Sequence, residues 1–458
     1  MPAMHEGVAS LIWLTGAVLG ASMVYGFVRC RDPLHPVVYI NPMLAYVYFM
    51  TPAILVRQGL LETCFPQGAD VGYAQAVILG GVTAFCLGAL NFGIVPGLSL
   101  RRSFRLTEPR RRAMRRLSFL IGGIGLIGYY WLLQRHGGLS PVYGRPKGGF
   151  YGVSGYLASA PLLTIPATLL YLLSHFGRRR GWRQVLVCMV LMSPHLLHAV
   201  LGARRGTAFL AFGSLFFGWY VTRPRRPSLG LSVAALVALG FLMFFLGSQR
   251  TRIYLGADFY FDRQAFLQAV SPEEIDVGNT TVYSWGLILA SREAGHHFWG
   301  RRYLAQVFIR PIPRQLWRGK YRAVGLQWME TAPGSGGMSE MAWLNAVGWY
   351  PQAGSAAGLV ADAYLEFGLL GLVVCYLVGR VYSALWKRAV VLRGVWNLLY
   401  AEAAAISVFM PTQGVTTAWL YRLLFLGIPT WALWKWIAGR HGRPRDRWSP
   451  RGERPTAG

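Results

Sequence analysis

Apolar residues run along this chain in long blocks rather than in the alternation of a strand or the one-sided stripe of a soluble helix. The blocks fall at 8–28, 37–56, 71–95, 117–134, 156–175, 184–201, 206–221, 229–247, 356–379, 395–410 and 416–437, and charge is nearly absent from them. Most approach the roughly 20 residues that a helix needs to cross about 30 Å of hydrocarbon. The pattern therefore predicts about eleven transmembrane helices, two of which, 206–221 and 395–410, are short enough to require local thinning or a re-entrant pair. The expected fold is an all-α polytopic membrane protein with four parts: eight helices and short connections over 1–247, a large loop with short helices over 248–355, further transmembrane helices over 356–437, and a basic tail over 438–458. The first block lacks the short apolar core and small-residue cleavage site of a secretory signal, so it is read as a permanent helix.

Composition supports that class. The chain is 54% hydrophobic and only 14% charged, with a mean hydropathy of +0.36, which excludes an ordinary soluble enzyme. Its five cysteines, Cys30, Cys64, Cys86, Cys188 and Cys375, are scattered and read as small hydrophobes. Charge then orients the bundle. Lys and Arg outnumber Asp and Glu by 46 to 18, and the excess is concentrated in 29–31, 101–116, 177–183, 222–227, 387–394 and the tail at 440–455. These connections share one face, which the positive-inside rule makes cytoplasmic. Topology thus accounts for the net charge of +28 without nucleic acid. The Pro- and Gly-rich tail is expected to be disordered.

The opposite face receives 57–70, 135–155, 202–207, 410–414 and the long segment 248–355, which carries eight acidic and eleven basic residues with many aromatics. Arginines gather there against the charge rule: Arg204 and Arg205 in a turn between two apolar blocks, Arg250 and Arg252 after another, and Arg310 and Arg314 in "RPIPRQLWRGK". Guanidinium is permanently charged and forks onto phosphate oxygens, so this grouping at a bilayer boundary suits a diphosphate. The plain alternative is snorkelling to head groups, or pairing with Glu273, Glu274 or Asp276. The two prolines before Arg314 stiffen its approach and make it the expected leading cation, whereas Arg318 and Lys320 are expected to meet head groups. His296 and His297, Glu340 and Asp362 are the candidate bases outside; His195 and His198, inside a span, read as a satisfied buried polar pair. No paired carboxylates beside a nucleotide fold, Walker loop or zinc spacing occurs, so neither a metal nor another cofactor is expected.

Two motifs carry a resemblance. "FIRPIPRQLWRGK" (308–320) followed by "GLVADAYLEFGLLG" (358–371) resembles the paired signature of bacterial oligosaccharide repeat-unit polymerases of the O-antigen polymerase type, and "LGARRG" (201–206) sits where these proteins and the related O-antigen ligases carry an arginine turn. The resemblance covers about 190 to 380 and implies a GT-C-like helical bundle. It implies a catalytic role for Arg314 and for Arg204 or Arg205, and matches Asp362, Tyr364, Phe367, Gly368 and Gly371 to the second motif; for that chemistry the residues themselves offer Asp362 and His297 as candidate catalytic groups and Arg250, Arg252, Arg310, Glu340 and Tyr364 as candidate substrate contacts. Two positions depart from the pattern: Asp362 stands where glutamate is usual, and Glu366 where asparagine is common. The implied activity is metal-independent glycosyl transfer on the periplasmic face of the bacterial inner membrane, with an undecaprenyl-diphosphate-linked oligosaccharide as donor and a second as acceptor. A flippase and a chain-length regulator are the implied partners besides the bilayer. A ligase-like transferase with another acceptor, or a lipid-linked oligosaccharide flippase or transporter, stays open; a transporter would more often show two related halves and mid-membrane charge.

Overall fold

The computed structural model describes residues 2–65, 69–90, 106–150, 159–178, 181–223, 226–258, 260–270, 279–352 and 355–440. The tail from 441, the proposed acidic partners Glu273, Glu274 and Asp276, and parts of the connections at 101–116, 177–183 and 222–227 lie outside the described residues. Within them every element is helical and no strand occurs.

The long helices are α1 (Pro2–Cys30), α2 (Pro36–Arg57), α3 (Val71–Leu90), α4 (Glu108–Arg135), α5 (Ala160–Ser174), α6 (Trp182–Val200), α7 (Arg205–Val221), α8 (Leu229–Ser248), α9 (Thr280–Glu293), α10 (Gly358–Val391), α11 (Val395–Ile406) and α12 (Tyr421–Arg440). Seven of them, α1, α2, α3, α4, α6, α8 and α10, are long and apolar enough to cross a membrane. The chain is therefore a helical membrane protein. The other predicted spans are helical too, but α5, α7 and α11 are shorter, and α12, which carries Arg422, Lys435 and Arg440, falls outside the set as well.

The tightest seam joins α3 to α10. A Cβ on Gly88 would stand 2.1 Å from the Tyr376 carbonyl oxygen, and one on Gly379 would stand 2.3 Å from that of Phe85. Small residues let two backbones meet where lipid gives helices no hydrophobic reason to associate. α10 itself breaks at Gly368, whose φ of +57° and ψ of −137° suit glycine alone. At the other extreme, only 6% of the apolar stretch of α8 is buried.

The segment 248–355 is more than a loop. α9 lies inside it, and every residue from Thr281 to Ser291 is buried. At 14 residues, about 21 Å long, it is too short to register as a span, and its apolar run reads as a loop until its partners are seen. Trp285 Nε1 donates to Gln75 Oε1 at 3.0 Å, and Gln75 donates on to Thr15 at 3.1 Å, tying α9 to α3 and α1. Thr281 donates to the Val47 carbonyl at 2.6 Å, within a π-helical turn of α2 at Tyr46–Met50. Trp343, Trp349, Tyr283 and Phe65 complete an aromatic cluster around it.

Replacing Gly379 by leucine drives a side chain into the Phe85 carbonyl, and is expected to lower the stability of the detergent-purified protein by about 1–3 kcal/mol or more. Gly230→Leu in α8, where nothing lies within 4 Å, is expected to leave it unchanged. Thermal unfolding of the two variants beside the parent makes the comparison.

Candidate functional site

α2, α7, α8 and the segment after α9 enclose a cavity of about 1260 Å³. Six cations line it, Lys147, Arg204, Arg205, Arg250, Arg310 and Arg422, and among the described residues no carboxylate does. One wall is apolar, built from Leu236, Val237, Met243 and Phe244 of α8 and from Pro42, Met43 and Met50 of α2.

Local backbone geometry aims the cations. α6 ends at Val200, Ala203 takes a left-handed φ of 46°, and the Arg204 amide closes the turn on the Ala199 carbonyl at 3.2 Å. Arg204 caps α7 and Arg205 is its first residue, with no acidic residue in the first turn. Two cations at the positive end of a helix dipole are unfavourable on their own account, and the arrangement concentrates positive potential on the cavity. Arg204 Nη2 donates to the Lys147 carbonyl at 2.8 Å, and Arg205 packs against Gly247 at the end of α8. Across the cavity, Arg310 stands over the Tyr421 ring at 3.8 Å and donates to Gln306 at 2.8 Å, while Arg422 stands over Phe409 at 3.9 Å and donates to Ala418 O at 2.8 Å.

The stretch "RPIPRQLWRGK" is organised by its last residue. Lys320 is buried and its ammonium donates to the carbonyls of Ile309 (3.1 Å), Arg310 (3.0 Å) and Ile312 (2.6 Å). Burial, with Arg314 nearby, lowers its pKa. It is a staple for the Pro-containing bend and not the head-group contact its position suggests. Arg310 is the cation this stretch gives to the cavity. Arg314 lies outside the lining: its side chain is 68% exposed and its guanidinium pairs with Glu330 at 2.7 Å.

The second motif serves the wall behind. Asp362 is buried and takes an ion pair from the equally buried Arg302, whose Nε also meets Glu366 Oε1 at 3.3 Å; Glu366 Oε2 accepts the Gly300 amide at 2.9 Å. Asp362 also packs against Gly414, next to the cavity residues Thr412 and Gln413. Asp362 is thus engaged behind the lining, neither capping a helix start nor facing the cavity. Tyr364 shares a hydrogen bond with Tyr73 at 2.9 Å. His297 is half-buried against Gly368 and Tyr364, with Nδ1 3.3 Å from Ser291 Oγ; burial and then the neighbouring His296 lower its pKa. Glu340 is exposed at the start of a short helix, and Arg252 pairs with Asp262 at 2.7 Å. None of these five lines the cavity, whereas Arg204, Arg205, Arg250 and Arg310 are brought together there.

The lining also holds side chains that motif reading passed over. His195 and His198 are each satisfied, by Pro161 O at 3.1 Å and Tyr143 OH at 3.1 Å, and both face the cavity as well. Tyr143 continues to Tyr129 at 2.8 Å. The signal for His198 was its place in the last turn of an apolar block just before the arginine turn; for Arg422 it was a lone guanidinium inside one. Lys147 had no such signal.

Arg302→Ala leaves two carboxylates buried without their cation and is expected to cost about 3–5 kcal/mol. The triple replacement Arg302→Met, Asp362→Leu, Glu366→Leu is expected to recover much of that loss. Thermal unfolding in detergent measures both.

No family model matches the chain, and neither a curated protein nor a solved structure does.

Proposed function

We propose that the protein is an integral-membrane glycosyltransferase that polymerises undecaprenyl-diphosphate-linked oligosaccharide repeat units on the periplasmic face of the inner membrane, in O-antigen or exopolysaccharide synthesis. The observation that carries this reading is the cavity that, among the described residues, is lined by six cations and no carboxylate, beside an apolar wall. A ligand for such a place joins several negative charges to a hydrocarbon chain, as a polyprenyl diphosphate does. Arg204, Arg205, Arg250 and Arg310 supply forked donors to the phosphate oxygens.

The chemistry follows from the leaving group. An acceptor hydroxyl attacks the anomeric carbon of the donor sugar, the carbon–oxygen bond to the diphosphate breaks, and the lipid diphosphate departs with the electron pair. Guanidiniums whose contacts strengthen as that charge develops lower the barrier without a protonating acid. His198 is a basic group in the cavity lining: in the tautomer that donates Nδ1–H to Tyr143, Nε2 is left as the acceptor for the hydroxyl proton. Asp362 and His297, outside the lining, act in this reading through the wall they support. The same cavity suits an O-antigen ligase-like transferase, which differs in its acceptor alone.

The experiment is elongation of purified lipid-linked repeat units in nanodiscs without nucleotide or ion gradient. Arg310→Lys keeps the charge but loses the fork, and is expected to lower turnover about 10²-fold. Arg314→Lys, outside the cavity, is expected to stay within a few-fold of the parent. Lipid translocation without any elongation would sink the enzyme reading in favour of a transporter.

Orientation is tested separately. In a Cys30→Ser background, a cysteine at the exposed position 318 is expected to react with an impermeant maleimide in cells with a leaky outer membrane, and one at the exposed position 112 only after lysis. The opposite pattern would place the cavity in the cytoplasm.

A further inference from the structure

The end of the bundle opposite the cavity holds a second group of guanidiniums. α7 runs from Arg205 at the cavity to Val221, and its 17 residues separate the two places by about 25 Å. At that far end Arg223, Arg226, Arg393 and Asn397 line a small crevice, and among the described residues no carboxylate lines it. Arg226 Nε reaches the Asp32 carboxylate at 3.3 Å, but Asp32 is already shared: it accepts Trp386 Nε1 at 3.0 Å and the Leu34 amide at 3.0 Å. Arg226 Nη1 is buried with no hydrogen-bond partner among the described residues. Arg223 is held over the Trp219 ring at 4.2 Å, a contact that steadies a cation without neutralising it, and Arg393 lies over Phe176 at 5.4 Å.

Asn397 adds the opposite need. It is buried, and its Oδ1 also lacks a partner. The crevice thus combines guanidinium groups and an unmet donor with one unmet acceptor. Its inner space, about 10 Å³, has room for one oxygen-sized atom. A bare anion answers the arginines and leaves Asn397 unsatisfied, whereas a phosphate that carries a neighbouring hydroxyl answers both. Position adds a further constraint, because Val221, Ala389 and Val390 place the crevice where α7 and α10 end, at the level of lipid head groups.

We propose that this crevice binds the phosphate of an acidic phospholipid whose head group bears a free hydroxyl, of the phosphatidylglycerol kind. One phosphate oxygen enters and accepts from Arg226 Nη1, Arg223 and Arg393 flank the others, and the hydroxyl donates to Asn397 Oδ1. The site is separate from the cavity and stands whether or not the glycosyl-transfer reading does.

The test uses the purified full-length chain, with lipid binding followed by native mass spectrometry and thermal protection. Phosphatidylglycerol is expected to bind and protect, and phosphatidylcholine to do neither. Arg223→Gln/Arg393→Gln is expected to weaken phosphatidylglycerol binding about tenfold or more, the scale of one lost charge-assisted hydrogen bond. Should that variant fail to accumulate, Asn397→Asp puts a negative charge in the crevice and is expected to weaken binding as strongly. Equal protection by phosphatidylcholine, or unchanged binding in either variant, overturns the site. Protection by inorganic phosphate equal to that by phosphatidylglycerol overturns the lipid assignment and makes the occupant a free anion.

Discussion

Arg302 is the buried cation between two buried carboxylates, and the half of the molecule that carries the long segment before α10 is arranged around that fact. A buried ion group of this kind is weak as a source of stability but severe as a constraint, because any displacement exposes an uncompensated charge. It joins the short helix Arg301–Leu304 to α10 through Asp362 and Glu366. The π-helical turn Ala305–Ile309 follows directly, and Arg310 leaves it toward the cavity with Gln306 at its side. Lys320 then closes the bend from the other end. The cavity's geometry on this side is inherited from a cluster that does not line it.

The cavity and the network use charge in opposite ways. Behind the wall, one guanidinium faces two carboxylates; in the lining, six cations gather with no carboxylate among the described residues. Clustered like charges repel, and in a partly desolvated space they do so over several ångströms. The arginine pair at the start of α7 adds the helix dipole to that repulsion. Such an arrangement persists in a folded protein when the rest of the bundle holds it and an anionic ligand relieves it. Stability and ligand affinity are drawn from the same repulsion, in opposite senses.

The helical class, the position of the long helices and the gathering of arginines on one face were legible in the sequence, because each depends on composition and on local order. Arg204, Arg205, Arg250 and Arg310 do converge. The division of labour within the two motifs was not legible. Arg314 and Lys320 lie a few residues apart in one basic stretch, yet one is exposed against Glu330 and the other is buried on three carbonyls. That difference comes from Glu330 and the bend itself, which are tertiary facts. Asp362 likewise depends on Arg302, sixty residues earlier, which no local pattern links to it. α9 was hidden for a related reason: a run too short to span a membrane gives no length signal, and its burial rests on Gln75, Val47 and distant tryptophans.

The exposure of α8 gives the cavity an unusual dependence. A helix that shares little surface with its bundle takes its tilt largely from the thickness of the hydrocarbon around it, since mismatch costs fractions of a kcal/mol per ångström. α8 also supplies part of the apolar wall of the cavity. The width of that wall from its opposite face is therefore a property of protein and bilayer together, and acyl-chain length acts on the chamber as a mechanical variable that detergent micelles do not reproduce.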